Sequence, residues 1–349
     1  MMPILCANDE TLFTSNGLGR LNDCISCIVT EERNGIYECD FEYPVDGANF
    51  DLIQIGRIIG VTHDDTGDIQ PFEIVGYEKS LDGTVTFHAV HISYRLSGQV
   101  VWASSITSLA SALQLVGNVG GTPFTYSTDK TSTGYMAAAD GLPKSVRELL
   151  GGIEGSILDT YGGEYEWDGW NVTLHSARGQ YRDFSIRYGV NMLGYEEEYD
   201  CQEWFSRCIP YWTDGENKVI GSRVTSGMTL PTGRTNVMPL DLSDKFESQP
   251  TKAQVESAAA SYINANEPYL PTQSITVEFV RLQDMPEYSQ FAGLLQCKLC
   301  DTISVVFPGY SSSGRFKVVK TEWNVLENRY ESMELGNLSM TLAQALGIK

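Results

Sequence analysis

The stretch that decides the fold is Thr30–Gly47, TEERNGIYECDFEYPVDG, read together with Val85–Leu96, VTFHAVHISYRL. In the first, Ile36, Cys39, Phe41 and Tyr43 alternate with Glu38, Asp40 and Glu42 around Asn34-Gly35, the strongest short hairpin signal a sequence can carry. In the second, Val85, Phe87 and Ala89 alternate with Thr84, Thr86 and His88. A period of two with one apolar face predicts half-buried antiparallel strands.

Working outward, further strands are predicted at Ser26–Thr30, Ile55–Thr62, Gln70–Lys79 and Thr84–Tyr94, the turns being Asp46-Gly47, Thr66-Gly67-Asp68 and Asp82-Gly83. Five short strands with such turns suit a small barrel or sandwich over residues 1–96. Residues 97–180 change character. Ser104–Val116 places Ile106, Leu109, Ala110, Leu113 and Val116 at helical spacing, and Ser145 with Glu148 forms a capping box before Val146, Leu149, Leu150, Ile153 and Ile157. Glu164–Leu174 reads as a hairpin turning on Asp168-Gly169. These make an α+β insert. A second β-rich unit is expected over 181–240 and 290–349, with strands Phe184–Met192, Trp204–Tyr211, Thr302–Phe307, Arg315–Trp323 and Tyr330–Leu335. Between its halves, 241–289 reads as a helix, Thr251–Asn264, and a strand, Ser274–Leu282. The fold class expected is mainly β with α+β inserts, the two β-units being possible diverged copies.

The chain has 349 residues, more than the roughly 250–300 over which a single core keeps growing. Hydrophobic residues at 42% suffice for packed cores, so two or more compact units are expected. A formal charge of −21 argues against net phosphate binding, which cationic side chains supply. Acidity has two readings: solubility, or a conduit wall that repels phosphate and lets a duplex slide. No stretch approaches the ~18 apolar residues of a membrane-spanning helix. Asp9 and Glu10 come early and no basic region precedes them, so no signal peptide is expected. Synthesis in a cytoplasm follows, where the eight cysteines stay reduced.

The pairs Cys24/Cys27 and Cys297/Cys300 have a zinc-knuckle spacer but lie far apart in sequence and lack the usual knuckle glycine, so core cysteines are the expectation. The four histidines, His63, His88, His91 and His175, are scattered, and His88 and His91 point to opposite faces of one strand. No nucleophile elbow, zincin helix, P-loop or dinucleotide fingerprint is present. Glu164, Glu166 and Asp168 beside Trp167 and Trp170 resemble a glycosidase subsite superficially, but turn chemistry already explains them as a solvent-exposed hairpin. Glu196-Glu197-Glu198 reads as a solvated edge. No catalytic, cofactor or metal residues are assigned.

Several motifs resemble the N-terminal region of phage tail-tip hub proteins, the prophage tail-endopeptidase or tail-associated lysin family. They are Asn16-Gly17-Leu18-Gly19 with Leu21-Asn22-Asp23, the Glu31/Asn34/Gly35 strand start, Gly56-Arg57-Ile58-Ile59 and His91-Ile92-Ser93-Tyr94. Ile186–Met192 is similar to the family's "IRYGKNL", with Val190 in place of the lysine; Leu299–Val305 and Glu327–Gly336 resemble its later strands. The resemblance implies a baseplate-hub-like fold with two similar tube-type β-barrels and two accessory domains. It implies a homotrimer whose six barrels form a pseudo-sixfold ring on the tail tube. The implied neighbours are a distal tail protein ring and the tape measure protein, with DNA passing through without specific binding, and no membrane insertion. The implied place is the virion tail tip, assembled in the bacterial cytoplasm. The family's wall-degrading activity lies C-terminal to this region. As the chain stops at Lys349 after Met340–Leu346, it is expected to be a non-enzymatic hub or a shortened form, without cofactors. Two alternatives stay open: a peptidoglycan endopeptidase or hydrolase, and a glycan-binding receptor module using Trp167, Trp170 and Trp212.

Overall fold

In the computed structural model, residues 2–13, 15–200, 204–228, 233, 235–266, 268–269, 272–280, 296–308 and 314–337 are described. The first unit carries β1 (Ile4–Cys6), β2 (Gly19–Arg20), β3 (Ser26–Glu32), β4 (Tyr37–Pro44), β5 (Ile58–Thr62), β6 (Ile69–Lys79) and β7 (Thr84–His91). β3, β4 and β7 alternate buried and accessible positions throughout, as the sequence period requires. Tyr37, Cys39, Phe41 and Tyr43 face inward, and Ile36 does not: it is one residue out of step and lies partly exposed in the turn. Asn34 takes the positive φ of that turn, at 59°. β7 ends at His91, three residues short of expectation. There the His91 side chain caps a 3₁₀ segment, Ile92–Gly98, by accepting from the Ser93 N–H.

The insert contains β8 (Val100–Val101), α1 (Leu109–Gly117), β9 (Thr125–Thr128), β10 (Lys144–Ser145), α2 (Val146–Leu150), α3 (Ile157–Tyr161), β11 (Glu164–Asp168) and β12 (Asn171–His175). The helix expected from Ser104 starts only after Ser108, whose hydroxyl caps the Ser111 N–H, and it buries Ala112 rather than Ala110. The Ser145/Glu148 capping box is present. The helix it opens is five residues long, because Gly151-Gly152 end the helix and Ser156 starts a second one. The β11–β12 turn sits one residue later than expected, on Gly169-Trp170, with Asp168 paired to Asn171. Only Gly169 has positive φ there.

The second unit carries β13 (Tyr181–Arg187), β14 (Met192–Asp200), β15 (Arg207–Thr213), β16 (Lys218–Ile220), β17 (Val224–Thr225), β18 (Val237–Asp241), α4 (Lys252–Asn266), β19 (Thr272–Phe279), β20 (Thr302–Val306), β21 (Gly314–Asn324) and β22 (Arg329–Asn337). The sheets divide this region differently from the expected 181–240 and 241–289. β15–β18 form a separate four-stranded sheet whose small core of Cys208, Trp212, Leu242, Val255, Ala259 and Ile263 includes α4, while β19 belongs to the main sheet. A helix with one apolar face needs a sheet to cover it, and β15, β16 and β17 pack against α4. The end of the expected strand at Leu282 and the segment Met340–Leu346 lie outside the described residues.

The insert's strands form two small sheets, β8 with β10 and β9 with β12 and β11, and the other strands form one 13-stranded sheet. Its two halves have the same strand order: β1-β5-β6-β7-β4-β3 in the first and β13-β20-β21-β22-β19-β14 in the second. Their central ladders match in register. Ile74 pairs with Ala89, which pairs with Cys39, which pairs with Val29; in the same places Val318 pairs with Leu335, Leu335 with Ile275, and Ile275 with Glu197. Both copies break register at the same point, Val75 in β6 and Val319 in β21. They differ in direction at one ladder, since β1 runs antiparallel to β5 but β13 runs parallel to β20, and the second copy has further register shifts at Met192/Gly194 and Glu322/Trp323. Neither path closes on itself among the described residues: no ladder joins β1 or β2 to β3, and none joins β13 to β14. The fold is mainly β with few helices.

Candidate assembly joint and its ion cluster

β3 of the first module pairs antiparallel with the second half of β21, where β20 has run out. The register sets Lys320 against Glu32, Thr321 against Glu31, Glu322 against Thr30, Trp323 against Val29 and Asn324 against Ile28. The Arg33 N–H extends the ladder by donating to the Val319 carbonyl at 2.8 Å. Lys320 Nζ lies 3.5 Å from Glu32. Trp323 and Val29 are fully buried, the indole meeting the Tyr330 ring edge-on at 4.7 Å and donating to Thr62 Oγ1 at 3.3 Å.

Behind this joint sits a buried ion cluster that sequence inspection did not assemble. Glu31 turns inward from β3, 3% exposed, and meets Arg178 Nη1 at 3.0 Å and His63 Nδ1 at 3.3 Å. Burial opposes ionisation of Glu31, but Arg178 and His63 outweigh it and hold the carboxyl down at about 2. Burial likewise opposes charging His63, and Glu31 and Asp64 overcome it, raising its pKa. Asp64 lies 3.7 Å from His63 Nε2 and 3.6 Å from Lys298 Nζ.

The hairpin of the insert supplies the other half. Glu164 is buried and accepts from Lys317 Nζ at 2.6 Å, from Arg33 Nη1 at 3.3 Å and from the Arg178 N–H at 2.6 Å. The expected solvent-exposed hairpin is therefore corrected: Glu164, Tyr165 and Trp167 face inward because the strand packs against both modules. Only Asp168 of the three carboxylates is exposed, and its Oδ1 accepts from Gln70 at 2.9 Å. Glu166 is half-buried and bonds His175 Nε2 at 2.8 Å. Arg178 Nη1 also donates to the Tyr165 carbonyl at 3.2 Å, so one guanidinium ties the hairpin to β3. Gly179 follows at φ 85°, where a Cβ would lie 2.1 Å from the Cys300 carbonyl oxygen. Arg182 holds the buried Asp301 at 2.7 Å, and a cleft of about 310 Å³ opens between Glu166, His175, Arg178, Arg182, Lys298 and Asp301.

The remaining singled-out residues lie apart from the cluster or serve packing. His91 is buried, stacked on Tyr37 at 4.4 Å, and burial depresses its pKa to about 3; its Nε2–H faces Gln70 Oε1 at 3.4 Å. His88 faces the other way, onto Asp40 at 2.8 Å. Cys24 and Cys27 are buried beside Cys39, with 3.6 Å between the Cys27 and Cys39 sulfurs. Burial pushes the Cys300 thiol up to about 12, the Arg178 charge opposing, and raises Cys297 as well. Such thiols are poor nucleophiles at neutral pH. Among the described residues no three His, Cys, Asp or Glu side chains group as metal ligands would. Trp167 and Trp212 are buried, Trp167 under the Arg147 guanidinium at 4.9 Å, and Trp170 packs on Phe124. Glu196, Glu197 and Glu198 lie on β14, whose outer edge has no partner strand among the described residues. No helix among those residues is long and apolar enough to cross a membrane.

No protein-family model and no curated protein matches the chain. Solved structures do. Prophage tail protein gp18 from Listeria monocytogenes EGD-e has a TM-score of 0.64 at 12% identity, covering 99% of this chain and 97% of that one. A tail protein from Neisseria meningitidis MC58 scores 0.62 at 11% identity, covering 99% and 98%. The 43 kDa tail protein of prophage MuSo2 from Shewanella oneidensis scores 0.63 at 12% identity, covering 96% and 98%. The fold is that of phage tail proteins, over nearly the whole length of each.

Proposed function

We propose that this chain is a structural protein of a phage tail tip, a hub whose trimer forms a pseudo-sixfold ring. The observation that carries this reading is the duplicated module. Two copies with one strand order, one register and one shared bulge, fused side by side in a single sheet, let a threefold body present six near-equivalent faces. Such a body matches a sixfold tube. In this reading the ring caps or continues the tail tube beside a distal tail protein ring, surrounds the channel for the tape measure protein and DNA, and acts without enzymatic activity in the virion. The charge of −21 per chain fits a wall that lets DNA slide.

Sedimentation analysis across protein and salt concentration tests it, with negative-stain imaging of the heaviest species. A trimer with a central hole about as wide as duplex DNA is expected. Monomers alone at high salt and high concentration would sink the ring. Clearing of peptidoglycan in a zymogram would replace the hub with a wall hydrolase.

A further inference from the structure

A cleft of about 230 Å³ opens where the tip between β3 and β4 meets the insert. Asn34 and Gly35 of the tip line it, with Gly151 and Gly152 beyond α2, Trp167 and Arg147. Among the described residues Arg147 is the one charged side chain on its wall. The guanidinium lies over the Tyr94 ring at 4.1 Å and the Trp167 ring at 4.9 Å. A guanidinium has N–H donors on all three nitrogens, and here only Nη1 has a described acceptor, Ser93 Oγ at 2.9 Å. Nε and Nη2 have none among the described residues, and neither is sealed from solvent. No described carboxylate stands within ion-pair distance. Glu38, whose charge reaches Arg147, accepts instead from the Tyr94 hydroxyl at 3.3 Å. Elsewhere the inward-turned cations meet carboxylates directly: Arg178 meets Glu31, Lys317 meets Glu164 and Arg182 meets Asp301. Burial lowers the Arg147 pKa, as it does for a cation that has lost water and gained no anion. The two rings offset part of that cost.

We infer that this cleft binds a carboxylate, with Arg147 as the fork that receives it. Two parallel N–H bonds of a guanidinium match a planar carboxylate, which makes the pair directional as well as attractive. One cation on an otherwise uncharged wall balances one negative charge. A phosphate monoester carries roughly −1.5 to −2 at neutral pH, and the excess would be repelled by a chain whose formal charge is −21. Gly152 leaves the approach open, since even a Cβ there would meet nothing within 4 Å. The cleft therefore suits a small organic acid or the side chain of an acidic peptide, and the inference is independent of the ring reading above.

Modification of the intact chain by phenylglyoxal, followed at each arginine by peptide mass spectrometry, tests the site. The probes are sodium acetate, the end-blocked peptide acetyl-Gly-Glu-Gly-amide and inorganic phosphate, each against sodium chloride of equal ionic strength. Acetate or the peptide should slow modification of Arg147 saturably, by about twofold at the concentration that half-fills the site. The exposed Arg20, Arg187 and Arg223 should react unchanged. A peptide that protects at lower concentration than acetate identifies an acidic segment of a partner as the source, and equal protection identifies a free organic acid. Phosphate protecting as well as acetate would overturn the carboxylate assignment. Protection by no probe, or of all arginines alike, would overturn the site.

Discussion

Removing the Arg178 guanidinium isolates one charge in the interior, and the structure fixes how much that costs. Arg178→Met takes away the cation 3.0 Å from Glu31, leaving a carboxylate 3% exposed with His63 as its remaining charged neighbour. Stranding one member of a buried pair costs about 3–5 kcal/mol. The linkage argument reaches a similar figure: a carboxyl held at about 2, against an ordinary glutamate near 4.3, represents roughly 3 kcal/mol. Because the folded pKa is depressed, this stabilisation is present above the unfolded value and is lost as pH falls towards 2. Urea unfolding followed by tryptophan fluorescence and far-ultraviolet circular dichroism, from pH 7 to pH 3, should show three things. Arg178→Met is less stable at pH 7 by about 3–5 kcal/mol. Its deficit shrinks as the pH is lowered, because protonating Glu31 removes the stranded charge. Glu31→Gln with Arg178→Met recovers at least about 1 kcal/mol over Arg178→Met alone. A deficit below about 1 kcal/mol, or strict additivity in the double variant, would refute the view that this pair fastens hairpin to sheet.

Trp323→Ala should cost about 3–5 kcal/mol in the same unfolding assay, because a fully buried indole between Val29 and Tyr330 leaves a cavity at the joint. Gly179→Ala should destabilise the chain by about 1–3 kcal/mol, since its Cβ would meet the Cys300 carbonyl at 2.1 Å; a neutral result would mean that the backbone there yields. Near pH 6.5 two histidines pull in opposite directions. His63, with a raised pKa, adds stability that is full below the unfolded value and fades as pH rises through the folded one. His91, held neutral at about 3, costs stability as pH falls below the unfolded value. His91→Gln should therefore leave a protein whose stability rises on acidification from pH 7.5 to 6, and His63→Gln one whose stability falls. Matching profiles for the two variants would contradict both assignments.

The first module was largely legible. Its strands β3, β4 and β7 alternate and its turns carry Asn-Gly and Asp-Gly, so period and punctuation agree, although Ile36 is out of step and β7 ends at His91. The hairpin at Glu164–His175 was legible as a hairpin but not as a buried one. Its partners Lys317, Arg33 and Arg178 come from three other parts of the chain, and a carboxylate destined for burial looks like any surface carboxylate in a strand. Glu31 was hidden for the same reason; Thr30 and Glu32, on either side, are accessible, and period alone could have placed it inward. The helix is shorter than apolar spacing predicts because Ser104 and Ser108 bridge to Asp140 and Thr133, which spacing does not show. The division of the second module is not legible locally, because β19 resembles an insert strand and its pairing with β14 and β22 is what joins it to the main sheet.

The two modules also differ at one tip. Where β3 turns into β4 through Arg33-Asn34-Gly35, β14 leads instead into the small sheet and α4 before the chain returns at β19. The short tip is not bare, since Asn34 Nδ2 donates to the Gly163 carbonyl and Asn34 Oδ1 accepts from the Tyr165 N–H. Every module thus carries a different ornament at the same corner. A closed circle of such chains would alternate two kinds of cog on one rim, so a neighbour docking there would count three positions where the strands beneath count six.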